Sequence, residues 1–231
     1  MMGKEAHPSG HKGILLDILI EASSSVGITP RFIRRPWLRC QKLVLEGQAQ
    51  SLFAMIKTPE RAVQFQFPEK SNHYLFAGNY VIFYRADPKR RSIMEKTAFN
   101  IANNLPIPEA ITHGFGAPHG YIVEGILRNK HVLAKNAYDM PTAIKLIRND
   151  RLDGYVVEQH IGRANLMAPP NNLTITHTEN LVLTDLWYAP FNRGFYLEHK
   201  KKIDRFWQEL PKIRRKHEIK LAKLSKENAG M

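Results

Sequence analysis

The chain lacks most of the features that announce a metalloprotein, a covalent catalyst or a membrane protein. One of its 231 residues is cysteine, which excludes an internal disulfide framework. That residue, Cys40, leaves the redox compartment open, and a lone thiol on an expected helix reads as packing before it reads as a nucleophile. No stretch approaches the roughly 18–20 uninterrupted apolar residues that a bilayer-spanning helix needs. The opening segment, Met1 to Pro8, has no apolar core followed by a small-residue cleavage site, so it is not a secretory signal as it stands. The ten histidines show no H-E-x-x-H or comparable spacing, and with one cysteine a zinc site is not expected. No G-x-S-x-G elbow and no Walker loop occurs. Gly114, Gly116 and Gly120 fail as a dinucleotide fingerprint because the third glycine comes one residue late. No cofactor, no metal and no catalytic residue is expected.

Acidic residues are also scarce: 21 Asp and Glu stand against 34 Lys and Arg, for a formal charge of +13. Such an excess raises the question of nucleic acid, but no recognition helix or aromatic platform motif accompanies it. Much of it falls between Lys200 and Lys223, where cations alternate with Ile203, Phe206, Leu210, Ile213 and Ile219. That is an amphipathic helix with a cationic face, which either is simply solvated or meets an anionic surface, and Pro211 is expected to interrupt or restart it.

What is present is an alternation of elements. Helical spacing covers Gly13 to Val26, with Gly27 placed to stop it, and Trp37 to Glu46, ending at Gly47. Strands are expected at Ile28 to Arg34, Ser51 to Ile56 and Tyr74 to Arg85. Thr58-Pro59-Glu60-Arg61 predicts a helix start, with Thr58 as N-cap, proline at the first helical position and an acid in the first turn. Beyond Asp87-Pro88 the same grammar repeats. Helices are expected near 92–103, 121–129, 142–149 and 161–167, strands near 110–115, 131–134 and 153–158, and an extended segment over 173–183. Strands alternating with helices predict the α/β class with parallel sheets, and two such blocks predict two lobes.

Several segments, taken in order, carry a resemblance. They are Gly13 to Ile18, Arg-Pro-Trp-Leu-Arg at 35–39, Leu-Glu-Gly-Gln-Ala at 45–49, Lys-Thr-Pro-Glu-Arg at 57–61, Phe65 to Pro68, and Leu-Asp-Gly-Tyr-Val-Val-Glu at 152–158. Over nearly the whole chain this order resembles solute-binding proteins of family 3, the extracellular amino-acid-binding type. The resemblance implies a type II periplasmic-binding fold with a central cleft and a two-strand hinge. Lobe 1 would be 1–84 plus 185–231 and lobe 2 would be 88–182, with hinges at about 83–88 and 182–188. It implies capture of a small polar, carboxylate-bearing ligand by lobe closure, for transport or sensing, by a periplasmic monomer whose partner is an ABC permease or a membrane sensor. No nucleic acid is expected as a partner. Because relatives carry a signal peptide and a first strand ahead of this chain's first helix, the resemblance also implies an N-terminally truncated sequence.

By the same resemblance Arg61, with Thr58, would take the ligand carboxylate, which suits a planar guanidinium fork beside helix amides; the alternative is a surface arginine balancing Glu60. Glu158 would hold an ammonium group, or else cap the following helix. The turn ending at Gly120, Tyr121 and Ile122 would offer backbone amides to an anion, or be a plain tight turn. Trp37 would wall the ligand or pack in the core. Phe53, Ala54 and Ile56 stand where relatives place hydroxyl residues, as Tyr121-Ile122 replaces Ser-Thr, which points to a larger or partly apolar ligand. A dehydratase using Glu158 as acid or base and a basic nucleic-acid binder are the rival functions.

Overall fold

The computed structural model describes residues 13–166 and 174–229, with side chains described through residue 219. The chain forms two compact units, one ending at Ala77 and resuming at Leu186, the other running from Gly78 to Asp185. The division at Ala77 and Gly78 falls within a strand.

Unit 1 is built mainly from helices. α1 (Ile14–Ser25) ends as its sequence predicts: Gly27 adopts φ 68°, and the amides of Gly27 and Ile28 donate to the carbonyls of Ser24 and Ser23, closing the last turn in the Schellman manner. Its buried face, Ile18, Leu19, Ala22 and Val26, packs with Ile203, Phe206, Trp207, Leu210 and Ile213 of the C-terminal helix α8 (Arg193–Ala229). A second cluster joins Val44 of α2 (Trp37–Leu45) to Leu52, Met55, Phe65, Phe67 and Tyr188. Burying aromatic side chains of this size, at about 25 cal/mol per Å² of apolar area, is the main stabilising term here. The expected break at Pro211 does not occur. The helix runs through Pro211 and kinks instead at His199 (φ −121°, ψ 24°), because Leu210 and Ile213 on either side are buried and packing outweighs the lost hydrogen bond.

Of the strands expected in unit 1, 28–34 is not formed and 51–56 is only partly formed among the described residues. Residues 28–34 run without regular structure, half-buried and exposed positions alternating and Ile33 left 46% exposed. Phe32 does turn inward, edge-on to Phe53 at 6.1 Å. Alternation fits a segment to a pleated surface but names no partner for it. In the segment 51–56, Ser51 makes an isolated antiparallel bridge to Phe191, and β1 (Met55–Ile56) pairs antiparallel to β6 (Leu183–Tyr188). Ala54 at φ 63° turns the chain just before it. α3 (Pro59–Gln64) follows with Thr58 as its N-cap, as predicted.

Unit 2 is centred on β2 (Phe76–Arg85) and β4 (Gly154–Glu158), paired antiparallel in the register Val81↔Val157 and Phe83↔Tyr155. β5 (Ile175–His177) pairs antiparallel with β2, and only β3 (Phe115–Gly116) runs parallel to β4. Among the described residues the expectation of parallel pairing thus holds for β3 with β4 and for an isolated bridge at Phe115. The expected strand at 131–134 is reduced to a bridge between Leu133 and Phe115. The helices α4 (Pro88–Ala102), α5 (Ile122–Asn129), α6 (Met140–Arg148) and α7 (Gln159–Asn165) fall where periodicity puts them; Met167 and Leu173, at the ends of two expected segments, lie outside the described residues. α7 approaches β2 so closely that a Cβ at Gly162 would collide with the Phe83 ring, so the glycine is a requirement of packing. No described helix is long and apolar enough to cross a membrane.

Candidate functional site

In unit 1 the structure brings Trp37, Thr58 and Arg61 together. The Thr58 hydroxyl accepts from the Arg61 amide at 3.3 Å, fixing the first turn of α3. The Arg61 side chain folds back so that Nη1 donates to the Ile56 carbonyl at 3.0 Å. Its guanidinium carbon lies 6.0 Å from the Trp37 ring centroid, within cation–π range. Trp37, the first residue of α2, packs its indole on the cluster around Phe65 and Phe67. Arg61 is half-buried and held on one side by a carbonyl and on another by an aromatic face. The carboxyl of the neighbouring Glu60 is held below its usual range first by a backbone hydrogen bond and next by Thr58, with a smaller electrostatic contribution from Arg61.

The Ile56 carbonyl is the component that motif reading missed. It belongs to the residue paired with Trp187 in β6, so the orientation of Arg61 is set by the short β1–β6 ladder. Of the residues read as departures from hydroxyl-lined sites, Phe53 is engaged with Phe32.

In unit 2 the expected ligand groups are engaged internally. The Gly120 amide donates to Glu124 Oε2 at 2.7 Å. Oε1 of the same carboxylate meets His119 at 3.1 Å and Arg128 at 3.0 Å. Burial pushes the Glu124 carboxyl up, but these contacts together hold it below its ordinary value. Tyr121 is the N-cap position of α5 without a side-chain cap, and Ile122 begins the helix half-buried. The signal for this arrangement was present in the sequence: an acid at the third helical position can reach back over the helix start.

Glu158 is the N-cap of α7. It is 1% exposed; Oε2 accepts from the Ile161 amide at 3.0 Å and Oε1 meets His160 Nδ1 at 2.8 Å. That carboxylate, by hydrogen bonding, raises the His160 pKa. Five residues earlier, Asp153 Oδ2 accepts from the amides of Thr112, His113 and Gly114 at 2.9, 2.6 and 2.9 Å. Spacing alone does not reveal that role, because the three amides lie about 40 residues away in sequence. Cys40 sits half-buried on α2, its Sγ 3.4 Å from the Arg35 carbonyl. Among the described residues no three His, Cys, Asp or Glu side chains gather as metal ligands would.

No family model and no curated protein matches the sequence. Solved structures do match the fold. A mutant of ArgBP from T. maritima aligns with a TM-score of 0.67 at 15% identity, over 90% of this chain and 82% of that one. The GluR0 ligand-binding core from Nostoc punctiforme, in complex with L-glutamate, gives 0.66 at 13% identity over 93% and 92%. AncCDT-1, an ancestral amino acid-binding protein and precursor of cyclohexadienyl dehydratase, gives 0.66 at 14% over 90% and 84%. At these identities the likeness establishes architecture: the chain is an α/β protein with the two-lobed, type II periplasmic-binding fold expected from its sequence.

Proposed function

We propose that the chain is a solute-binding protein for a small, carboxylate-bearing, amino-acid-like ligand, with Arg61 as the carboxylate receptor. The observation that carries this reading is the seating of Arg61. A half-buried guanidinium is oriented by the Ile56 carbonyl and backed by Trp37, in a fold that solved amino-acid-binding proteins share. A planar guanidinium suits a carboxylate because it donates two parallel hydrogen bonds to it. Thr58 stands three residues away as a hydroxyl already fixed in place.

Unit 2 contributes shape and backbone to this reading and little free charge, since Glu158 and the Gly120 amide are engaged within the unit. Glu158 is therefore not the receptor for an ammonium group in this proposal, nor an acid or base for dehydration, and the protein performs no chemistry on what it binds. Together with the aromatic and aliphatic residues at Trp37, Tyr121 and Ile122, this favours a carboxylate ligand with a sizeable apolar portion. Capture by lobe closure belongs to the same proposal, because a ligand that interacts better with the closed state shifts the population toward it. So do a periplasmic location and delivery to an ABC permease or membrane sensor.

The test is thermal unfolding of the protein against amino acids, small carboxylates and sugars, repeated with Arg61→Ala and Arg61→Lys. A ligand at a hundred times its Kd adds about 2.7 kcal/mol to stability, which is several degrees in Tm. The expected result is a rise with a carboxylate ligand, abolished in Arg61→Ala and reduced in Arg61→Lys. A rise that survives Arg61→Ala unchanged would move the site elsewhere, and a response to sugars alone would overturn the ligand class.

A further inference from the structure

The cations of α8 include two distinct sets. In one the cations have ion-pair partners: Lys200 with Asp204 at 2.7 Å, Lys216 with Glu21 at 2.8 Å, and Arg214 with Glu218 at 3.6 Å. Arg214 also lies 3.4 Å from the Tyr74 ring centroid and donates to the Asn72 carbonyl. The other set, Lys201, Arg205, Lys212 and Arg215, is exposed and makes no ion pair among the described residues. At about 100° per residue these four fall within an arc of about 80° on one face, and at about 1.5 Å per residue they span about 21 Å. Gln208 lies on the same face and is also exposed, while Lys202 extends the positive charge to one side. Glu209 is the acid beside the row, and it pairs with none of the four.

The row cannot rotate away, because the opposite face of the helix, with Ile203, Phe206, Trp207, Leu210 and Ile213, is buried against α1. It therefore forms a fixed, straight line of positive charge on the surface of unit 1. Its continuation is apolar: Ile219, eighteen residues after Lys201 and on the same face, is 49% exposed.

We propose that this face of α8 is a docking surface for an anionic lipid bilayer. Three observations favour a bilayer over nucleic acid. The row is linear and lies along one helix face, which suits a plane of headgroups. Its exposed residues include no aromatic side chain on which a base would stack. It also ends on an exposed aliphatic residue, and long cationic side chains beside an aliphatic one match the interfacial layer of a membrane. The proposal is independent of the ligand assigned to Arg61. It concerns peripheral attachment, with the helix lying on the surface.

The test is co-sedimentation of the full chain with vesicles of phosphatidylcholine alone and of phosphatidylcholine mixed with phosphatidylglycerol, across a salt series. Two fourfold variants are compared. One carries Lys201→Gln, Arg205→Gln, Lys212→Gln and Arg215→Gln; the other carries Lys96→Gln, Lys135→Gln, Lys145→Gln and Arg148→Gln, exposed positions of unit 2 with the same loss of charge. The expected result is binding to the mixed vesicles alone, weakened by salt. The row variant should lose roughly fivefold per removed charge, several hundredfold in all, with the unit 2 variant changed by less than about tenfold. The salt dependence of the unsubstituted protein measures the same charges without any mutation, so a row variant that fails to fold leaves the proposal open to refutation. Absence of binding to the mixed vesicles at low salt overturns it. So does equal loss in the two variants, which would mean net charge alone, or displacement from the vesicles by a duplex oligonucleotide at equal phosphate, which would identify a nucleic-acid face.

Discussion

The two units use charge in different proportions. Unit 1 has 22 basic residues against 11 acidic ones, and unit 2 has 12 against 10. In unit 2 six carboxylates hold backbone, while Asp150 and Glu179 meet Arg85, Arg90 and Arg91 as ion pairs. Asp87, Asp139 and Glu158 each accept one amide at a helix start, Glu124 accepts Gly120, Glu95 accepts Glu179 and Asn180, and Asp153 accepts three. In unit 1 Glu60 is held by a backbone hydrogen bond, and the other engaged carboxylates meet cations: Glu21 with Lys216 and His217, Glu46 with Lys42, Asp204 with Lys200 and Glu218 with Arg214. An amide-bound carboxylate organises a loop from within, whereas a surface ion pair contributes little and is easily screened. Unit 1 is therefore expected to owe its stability to the packing of aliphatic α1 against the aromatic and aliphatic face of α8, and unit 2 to owe a larger share to buried polar anchors.

The largest test of this contrast is Trp207→Ala. The indole is 3% exposed and its Nε1 donates to the Ala189 carbonyl at 3.0 Å, so truncation should destabilise by about 4 kcal/mol. Hydrogen exchange should show the loss of protection concentrated in α1 and α8. Asp153→Ala should follow at about 3 kcal/mol, because it strands three amide donors that lose a charged acceptor. Its faster exchange should centre on residues 112–116 and β4. Equal spreading of either effect through both units would dissolve the contrast, as would an Asp153→Ala penalty below about 1 kcal/mol in urea unfolding.

The same contrast explains what was legible in the sequence. Helices were, since caps and apolar spacing act within a few residues: Thr58, Gly27 and the periodic faces of α1, α2 and α6 lie where local rules put them. Strands were less so. Residues 28–34 have a strand's alternation, but pairing is a long-range property, and Ala54 turns the chain where an apolar run read as continuous. The antiparallel course of β2 against β4 and β5 is long-range in the same sense. Of the candidate site, the Thr58–Arg61 pair was readable from its motif. The Ile56 carbonyl and the amides held by Asp153 were not, since both contacts depend on how distant or folded-back segments meet.

Pro211 gives a smaller test with the opposite sign. In an isolated helix it would cost about 3 kcal/mol, yet here the helix continues through it between two buried residues. If packing against α1 is what overrides the penalty, Pro211→Ala should recover part of it. The expected gain is about 1–2 kcal/mol in unit 1, read as a higher urea midpoint with an unchanged m-value. A loss of stability would mean that the ring itself is required for packing, and that the sequence signal was overridden for a different reason.

The smallest expected effect concerns pH and belongs to unit 2. Hydrogen bonding to Glu158 raises the His160 pKa above its ordinary 6.5, so the protonated imidazole contributes stability that is fully present below pH 6.5 and disappears as pH rises through the folded value. Asp139, held by Thr142, and Glu124, held by Gly120, His119 and Arg128 against the opposing effect of burial, have lowered values. Their contributions are present above their ordinary 3.8 and 4.5 and are lost as pH falls through the folded values. For these groups the most favourable window lies between about pH 4.5 and 6.5. The His160 side chain is 68% exposed, so solvent screening limits its share to a few tenths of a kcal/mol. His160→Gln should remove the decline above pH 6.5 and leave the acid limb unchanged, as read from urea midpoints across pH. If the substitution instead shifts the acid limb and leaves the decline above pH 6.5 in place, that decline does not come from His160, and the imidazole serves the fold in another way.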